Sequence, residues 1–295
     1  MGPSPAGYGG GVDQLTSLTS PQRDAVEALA AAAAAADGVA PLNEEAFLQL
    51  GREDALHWLA SHDDHLVGYA QWQPANATGQ VVVHPDHRRR GHGTALYAAL
   101  AADVAEPALW AFGDRHAAQR FAARIGLVPA RGLHIMERGL EASAPRPVPG
   151  GITLRPFTDA DADAFLTVNA AAFAGHPEQG HFSASDLASR RAEPWWDPAG
   201  LILAEDDEGV VGFHWTKRHD ANTGEVYVLG VHPRGSGRGL GGVLLDAGLH
   251  HLAAGGASRV ILYVDAGNTP AVGLYHRSGF RVVHTDTLYR PAPRD

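Results

Sequence analysis

Two stretches decide the architecture: residues 81–96 read VVVHPDHRRRGHGTAL, and residues 229–244 read LGVHPRGSGRGLGGVL. Each holds a short apolar strand, then His-Pro, then a Gly-x-Gly that opens a helix-forming run. The two stretches lie 148 positions apart, and farther on RIGL at Arg124 aligns with RSGF at Arg277, 153 positions apart. Two landmarks in the same order point to a duplicated domain. A strand that ends in a tight glycine turn and feeds a helix leaves unpaired amides at the positive end of the helix dipole, a site suited to phosphate oxygens. Glycine permits positive φ there and keeps a Cβ away from the ligand. Neither stretch continues into the Gly-Lys-Ser/Thr of a Walker loop. The glycine spacing also differs from a Rossmann fingerprint.

Outward from these landmarks, strands alternate with helices, which predicts a mixed α/β (α+β) layer in each half. Strands are expected at 66–72, 80–83, 152–157, 225–231 and 259–264, with a hairpin formed by 201–205 and 210–217. Helices are expected at 21–36 with Ser20 as cap, 94–104, 159–172, 240–254, and 270–278 with Thr269 as cap and Gly279 as terminator. The segment EASAPRPVPGG has three prolines in five residues and reads as a linker. The expected organisation is a disordered tail 1–12, a domain 13–140, a linker 141–151 and a second domain 152–295.

With 295 residues, two domains are the natural count. The chain lacks cysteine, so disulfides, thiolate metal sites and a catalytic thiol are closed off. The 17 histidines show no metal-ligand spacing, and no metal is expected. The net charge of −10 divides equally about Pro147, which argues against a nucleic-acid partner. No apolar run approaches the roughly 20 residues of a membrane span, and no basic n-region with an apolar core opens the chain. A cytoplasmic monomer with no membrane partner is expected. Of 23 basic residues, one is a lysine, Lys217, a compact cation suited to hydroxyl recognition.

The glycine segments resemble the acyl-CoA-binding motif of the GNAT N-acetyltransferase superfamily, [Gln/Arg]-x-x-Gly-x-[Gly/Ala]. Arg88, Gly91 and Gly93 match it; Gly239 and Gly241 match, with Ser236 in place of Gln or Arg. The resemblance implies two tandem GNAT acyl-CoA N-acyltransferase domains with acetyl-CoA as co-substrate. It implies cofactor contacts at Val81, Val82, Val83, Arg89, Arg90, Gly91, His92, Gly93 and Thr94. The second set is Leu229, Gly230, Val231, Ser236, Gly237, Arg238, Gly239, Leu240, Gly241 and Gly242. NTPAVGLYHRSGF resembles the later GNAT element and adds Asn268, Thr269, Pro270, Ala271, Val272 and Gly273, with Tyr275 as general acid. Glu225 would be the base. Gly230, inside an apolar strand, is expected to mark a bulge.

Tandem domains together with ADGVAPLNEE, HPEQG, GFHWTK, GEVYVLGV and TDTLY resemble the mycothiol synthase family. That resemblance implies acetylation of the cysteinyl amine of cysteinyl-glucosaminyl-inositol, a small thiol-sugar. It implies substrate contacts at Asp37, Glu178, Lys217, Glu225 and Tyr263, with Asp37 reaching across from the first domain. The tryptophan pair Trp195-Trp196 reads equally as sugar platform or packed surface. The proton carriers have no counterpart in the first half, where the offsets bring Ala77 to Glu225 and Ala122 to Tyr275. That half is expected to be idle though able to bind acetyl-CoA. Acetylation of another amine (an aminoglycoside, an amino acid or a protein N-terminus) and non-catalytic acetyl-CoA sensing stay open as alternatives.

Overall fold

The computed structural model describes residues 11–141, 145–175 and 179–293. In chain order the strands and helices are β1 (Val12–Leu15), α1 (Ser20–Asp37), α2 (Glu44–Gln49), β2 (Leu56–His62), β3 (His65–Gln73), β4 (Thr78–Val83), α3 (His92–Asp103), β5 (Leu109–Ala111), α4 (His116–Arg124) and β6 (Leu127–Gly139). They continue as β7 (Thr153–Pro156), α5 (Ala162–Ala172), α6 (Ala184–Arg191), β8 (Leu201–Asp206), β9 (Gly209–Arg218), β10 (Thr223–Val231), α7 (Leu240–Ala254), β11 (Arg259–Asp265), α8 (Thr269–Arg277) and β12 (Arg281–Pro291).

The chain divides into two compact units, one of residues 1–133 with 284–295, the other of residues 134–283. The boundary therefore falls inside β6 and inside β12, not in the proline-rich segment. The first unit runs β1-β2-β3-β4-β5-β12, and in it Thr287, Leu288 and Tyr289 pair antiparallel with Ala111, Trp110 and Leu109. The second runs β6-β11-β10-β9-β8-β7. In each unit an antiparallel meander ends on one parallel pair, β4 with β5 and β10 with β11.

In the first unit α1 begins at Thr19, whose backbone N–H donates to the Gln22 side chain at 2.9 Å. The cap is thus Thr19, one residue before the expected Ser20. Gly38, at φ 69°, ends the helix. Its face Val26, Leu29, Ala30 and Ala33 buries against Leu59, Tyr69 and Val82. On the opposite face Leu96 and Leu100 of α3 meet Trp58, Ala70 and Trp72. Val12 already pairs with Ala60, so residue 12 belongs to the sheet and not to a tail.

The second unit repeats the plan. Phe165, Val168 and Leu187 from α5 and α6 cover Leu201, Leu203, Phe213 and Trp215. The other face packs Leu245, Leu249 and Leu252 of α7 with Val226, Leu262 and Tyr275. Helix α8 is capped by Asn268, whose Oδ1 accepts from the Ala271 N–H at 3.2 Å, rather than by Thr269. Gly279, at φ 84°, follows its end as expected.

Candidate active site

Each unit builds its glycine turn, the candidate phosphate cradle, the same way. In the first, Arg89 (φ 65°) and Gly91 (φ 95°) take left-handed conformations before α3; in the second, Gly237 (φ 77°) and Gly239 (φ 75°) do so before α7. A Cβ at Gly91, Gly237 or Gly239 would meet nothing within 4 Å. The turn is therefore open beyond these Cα atoms. Residues Gly93 and Gly241 do a different job. A Cβ there would approach Phe121 at 3.2 Å or Leu274 at 3.4 Å, so these glycines let α4 and α8 pack closely.

A cavity of about 360 Å³ sits at the first cradle, lined by Val81, Val82, Val83, Arg89, Gly91, His92, Gly93 and Thr94 among others; Arg90 is not part of its wall. Four histidines, His62, His84, His87 and His92, meet ring to ring at its edge. Burial first, then basic neighbours, depress His87 and His92 below their ordinary range. The motif arginine Arg88 makes two 2.8 Å bonds to Asp37 and one of 3.1 Å to the Val83 carbonyl. It braces the turn, and Asp37 is engaged within the first unit.

The second cradle is a shallower cavity of about 330 Å³ walled by Val231, Ser236, Gly237, Gly239, Leu240, Gly241 and Gly242, with Gly235 and Leu274. Leu229, Gly230 and Arg238 are outside that wall, as are residues 268–273. Arg238 and Arg234 both bind Asp206 and hold its carboxyl down to about 2.

The candidate reacting end is where β10 and β11 cease to pair. Their parallel register runs from Thr223 opposite Arg259 to Val226 opposite Leu262 and then stops, although both strands continue. On the other side of β10, Val226 faces Thr216 while Val228 faces Trp215, so the bulged residue is Tyr227. The bulge expected at Gly230 is not there. Gly230 pairs regularly with Phe213, and a Cβ on it would come within 2.8 Å of that ring, so its glycine is a packing requirement.

Glu225, one residue before the last parallel pair, is buried, and its Oε2 lies 2.7 Å from His219 Nε2. It stands opposite Lys217 on β9. The Lys217 ammonium lies 5.0 Å from the Trp195 ring and 5.6 Å from that of Tyr227, a cation–π arrangement. Trp195 is thus at the site, whereas Trp196 packs on Phe157 and Trp215. Tyr263, half exposed, shares the face of Glu225 by strand alternation. Tyr275 sits on the opposite face, in the core cluster of Val226 and Val264 and 5.7 Å from Phe280. Burial pushes its hydroxyl well above the ordinary phenol range, so it carries its proton at neutral pH. Glu178 lies outside the described residues.

His219 and Tyr227 escaped the reading of the sequence. The hairpin KRHDANTGE held a signal for His219, but only the register shows which carboxylate it meets. The first unit's correspondence to Glu225 also needs correction. Because β4 has no bulge, Gly79, paired with Trp72 and with Leu109, matches Val226, and Thr78 rather than Ala77 falls at the position of Glu225. Ala122 stays at that of Tyr275. Neither residue carries a titratable group. In the last turns of α7, His251 Nε2 is 2.8 Å from Asp197 Oδ2 and His250 Nδ1 is 2.8 Å from the Asp246 carbonyl.

Comparison with known proteins identifies the family and agrees with the fold. The profile described as the acetyltransferase (GNAT) family matches residues 23–127 and 170–280. A mycothiol acetyltransferase of Thermomonospora curvata is 48% identical over 285 residues, covering 94% of this chain and 96% of its own. One from Nocardia farcinica is 50% identical over 282 residues, covering 90% and 93%. Among solved structures, a GCN5-related N-acetyltransferase from Sphaerobacter thermophilus superposes with a TM-score of 0.71 at 26% identity, over 96% of this chain and 97% of its own. A tandem GNAT protein of clavulanic acid biosynthesis gives 0.71 at 19% identity over 97% and 100%, a likeness of fold.

Proposed function

Because this chain belongs to the acetyltransferase (GNAT) family and, within it, to the mycothiol acetyltransferases, we propose that it acetylates the cysteinyl amine of cysteinyl-glucosaminyl-inositol. Acetyl-CoA, when bound, supplies the acetyl thioester. The open left-handed turn of residues 237–239 and the first amides of α7 suit its pyrophosphate. Glu225 takes a proton from the acceptor ammonium, whose pKa of about 7–8 asks only for a modest base. Lys217, Trp195 and Tyr263 surround the acceptor and present a cation, an apolar ring face and a hydroxyl to the sugar. Tyr275 returns a proton to the departing thiolate sulfur from the other face. The apolar surroundings that raise the tyrosine raise the thiolate as well, which keeps donor and acceptor matched.

The contrast between the units carries this reading. Both have the cradle, but Glu225 and Tyr275 in the second are Thr78 and Ala122 in the first. The first unit then binds acetyl-CoA without turning it over. Thiol release from acetyl-CoA with the cysteinyl sugar, an aminoglycoside and free amino acids is the test. Turnover is expected with the cysteinyl sugar. Turnover with an aminoglycoside alone would replace the acceptor, and none with any amine would replace the enzyme by a sensor.

A further inference from the structure

A carboxylate buried in a sheet is costly unless its charge is met by a donor. Glu225 is 6% exposed, and its Oε2 lies 2.7 Å from His219 Nε2. A carboxylate only accepts, so Nε2 is the protonated nitrogen of the pair. Glu225 Oε1 makes no hydrogen bond among the described residues and is not sealed from solvent. One oxygen is thus held and the other left for a ligand.

The backbone that carries the imidazole is itself fixed. Its backbone N–H donates to the Thr223 carbonyl at 3.0 Å. Asp220 Oδ1 closes the turn by accepting from Asn222 N–H at 2.7 Å and Thr223 N–H at 2.8 Å. The Asn222 carbonyl in turn accepts from Ser258 and Arg259 N–H, at 2.9 and 3.1 Å, which ties the hairpin to β11. The His219 side chain is about one-third exposed, so the pair joins the buried carboxylate to the surface.

We infer that His219 is a positioning residue for the acyl transfer, its Nε2–H holding Oε2 of Glu225 so that Oε1 meets the acceptor amine. This rests on the reading of Glu225 as the base. In the step it serves, an ammonium N–H bond breaks with its electron pair left on nitrogen, and an O–H bond forms at Oε1. A donor on Oε2 stabilises the carboxylate before that step and fixes its rotamer. Among the described residues, the elements flanking the pair carry Lys217 on β9, Asp220 in the turn, Tyr227 on β10, and Arg259 and Tyr263 on β11.

The test compares His219→Ala, His219→Gln and Glu225→Gln in the full-length enzyme, each checked by thermal melting. Steady-state rates are measured across pH with acetyl-CoA and the cysteinyl sugar. His219→Ala is expected to lower kcat roughly ten- to a hundredfold, part of the ~10²–10⁴ a positioned base contributes. The KM for acetyl-CoA should hold. His219→Gln keeps an N–H of similar reach and should stay within about threefold of the parent. If His219→Ala melts early, His219→Asn, a methylene short of the carboxylate, replaces it. Parent kcat in His219→Ala, beside a disabled Glu225→Gln, overturns the role of His219 and leaves the base standing. Equal losses in the alanine and glutamine variants overturn it too. A fully active Glu225→Gln overturns the base reading and this inference with it.

Discussion

Tyr275 combines two demands in one side chain. Its ring belongs to the core with Val226, Val264 and Phe280, while its hydroxyl is the proton source proposed for the leaving thiolate. Phenylalanine meets the first demand and fails the second. Tyr275→Phe is therefore expected to keep its melting temperature and its acetyl-CoA affinity while losing kcat by ~10²-fold or more, because only the transition state uses the hydroxyl. Equilibrium binding and stopped-time turnover measured side by side check this, and an unchanged kcat removes the residue from the mechanism. Glu225→Gln should lose most at neutral pH and recover in part at high pH, where the acceptor amine deprotonates unaided. A rate profile from pH 7 to 9.5 reads that recovery, and a parallel loss at every pH would contradict it.

At the scale of elements, the same strand–turn–helix is used twice with different loading. Gly91 and Gly239 both cap a helix in the left-handed region with empty space beyond the Cα. Valine at either position brings backbone strain, on the order of 1–2 kcal/mol, and a branched side chain into the pyrophosphate's place. Gly91→Val should remove one bound acetyl-CoA and leave much of the turnover, because Thr78 and Ala122 offer no proton chemistry there. Gly239→Val should abolish turnover. CoA stoichiometry by calorimetry with kcat for each variant decides. A dead Gly91→Val beside a normal Gly239→Val would move catalysis to the first unit. The first cradle already tolerates a strained residue, Arg89 at φ 65°, where the second has Gly237.

At the scale of the whole molecule, two properties follow from long-range packing. The first unit contains residues 284–295, although they end the chain. There Tyr289 donates to Asp114 at 2.7 Å and lines the first cavity, and Asp286 accepts from Gly113 N–H at 2.7 Å. Truncation after Val283 should therefore lower acetyl-CoA binding at the first cradle and destabilise that unit, despite removing only C-terminal residues. Loss of one CoA equivalent together with an early melting step is the expected readout; unaltered binding and melting would contradict the shared strand. The second property is pH dependence. Burial holds His57 and His214 down at about 4. The unfolded chain takes up protons near 6.5, the folded chain only near 4, so stability falls as pH drops from about 6.5 to about 4. For each histidine the loss is on the order of 1.4 kcal/mol per pH unit across that window. Melting temperatures between pH 7 and 4.5 should decline, less steeply in His214→Gln, and a flat profile would refute the assignment.

The sequence by itself determined the two GNAT domains, the hairpin β8–β9, helix α7 and both glycine cradles. Their causes are local: strand alternation, helix-forming runs and glycines at turns that demand positive φ. It also singled out Glu225 and Tyr275, because their motif neighbours lie within a dozen residues, and Lys217, because it is the one lysine of the chain. Only the tertiary structure decided what those residues touch. Arg88 finds Asp37 across 51 positions, and Asp114 finds Tyr289 across 175. The bulge at Tyr227 depends on β9, and it shifts the correspondence of Glu225 from Ala77 to Thr78. His219 is only six residues from Glu225, yet their meeting depends on the register of the hairpin between them. Strand exchange is the largest case, since β6 and β12 each change unit partway along their length. Local propensity shapes a segment, but which distant segment satisfies its backbone and buries its side chains is settled by the free energy of the assembled chain.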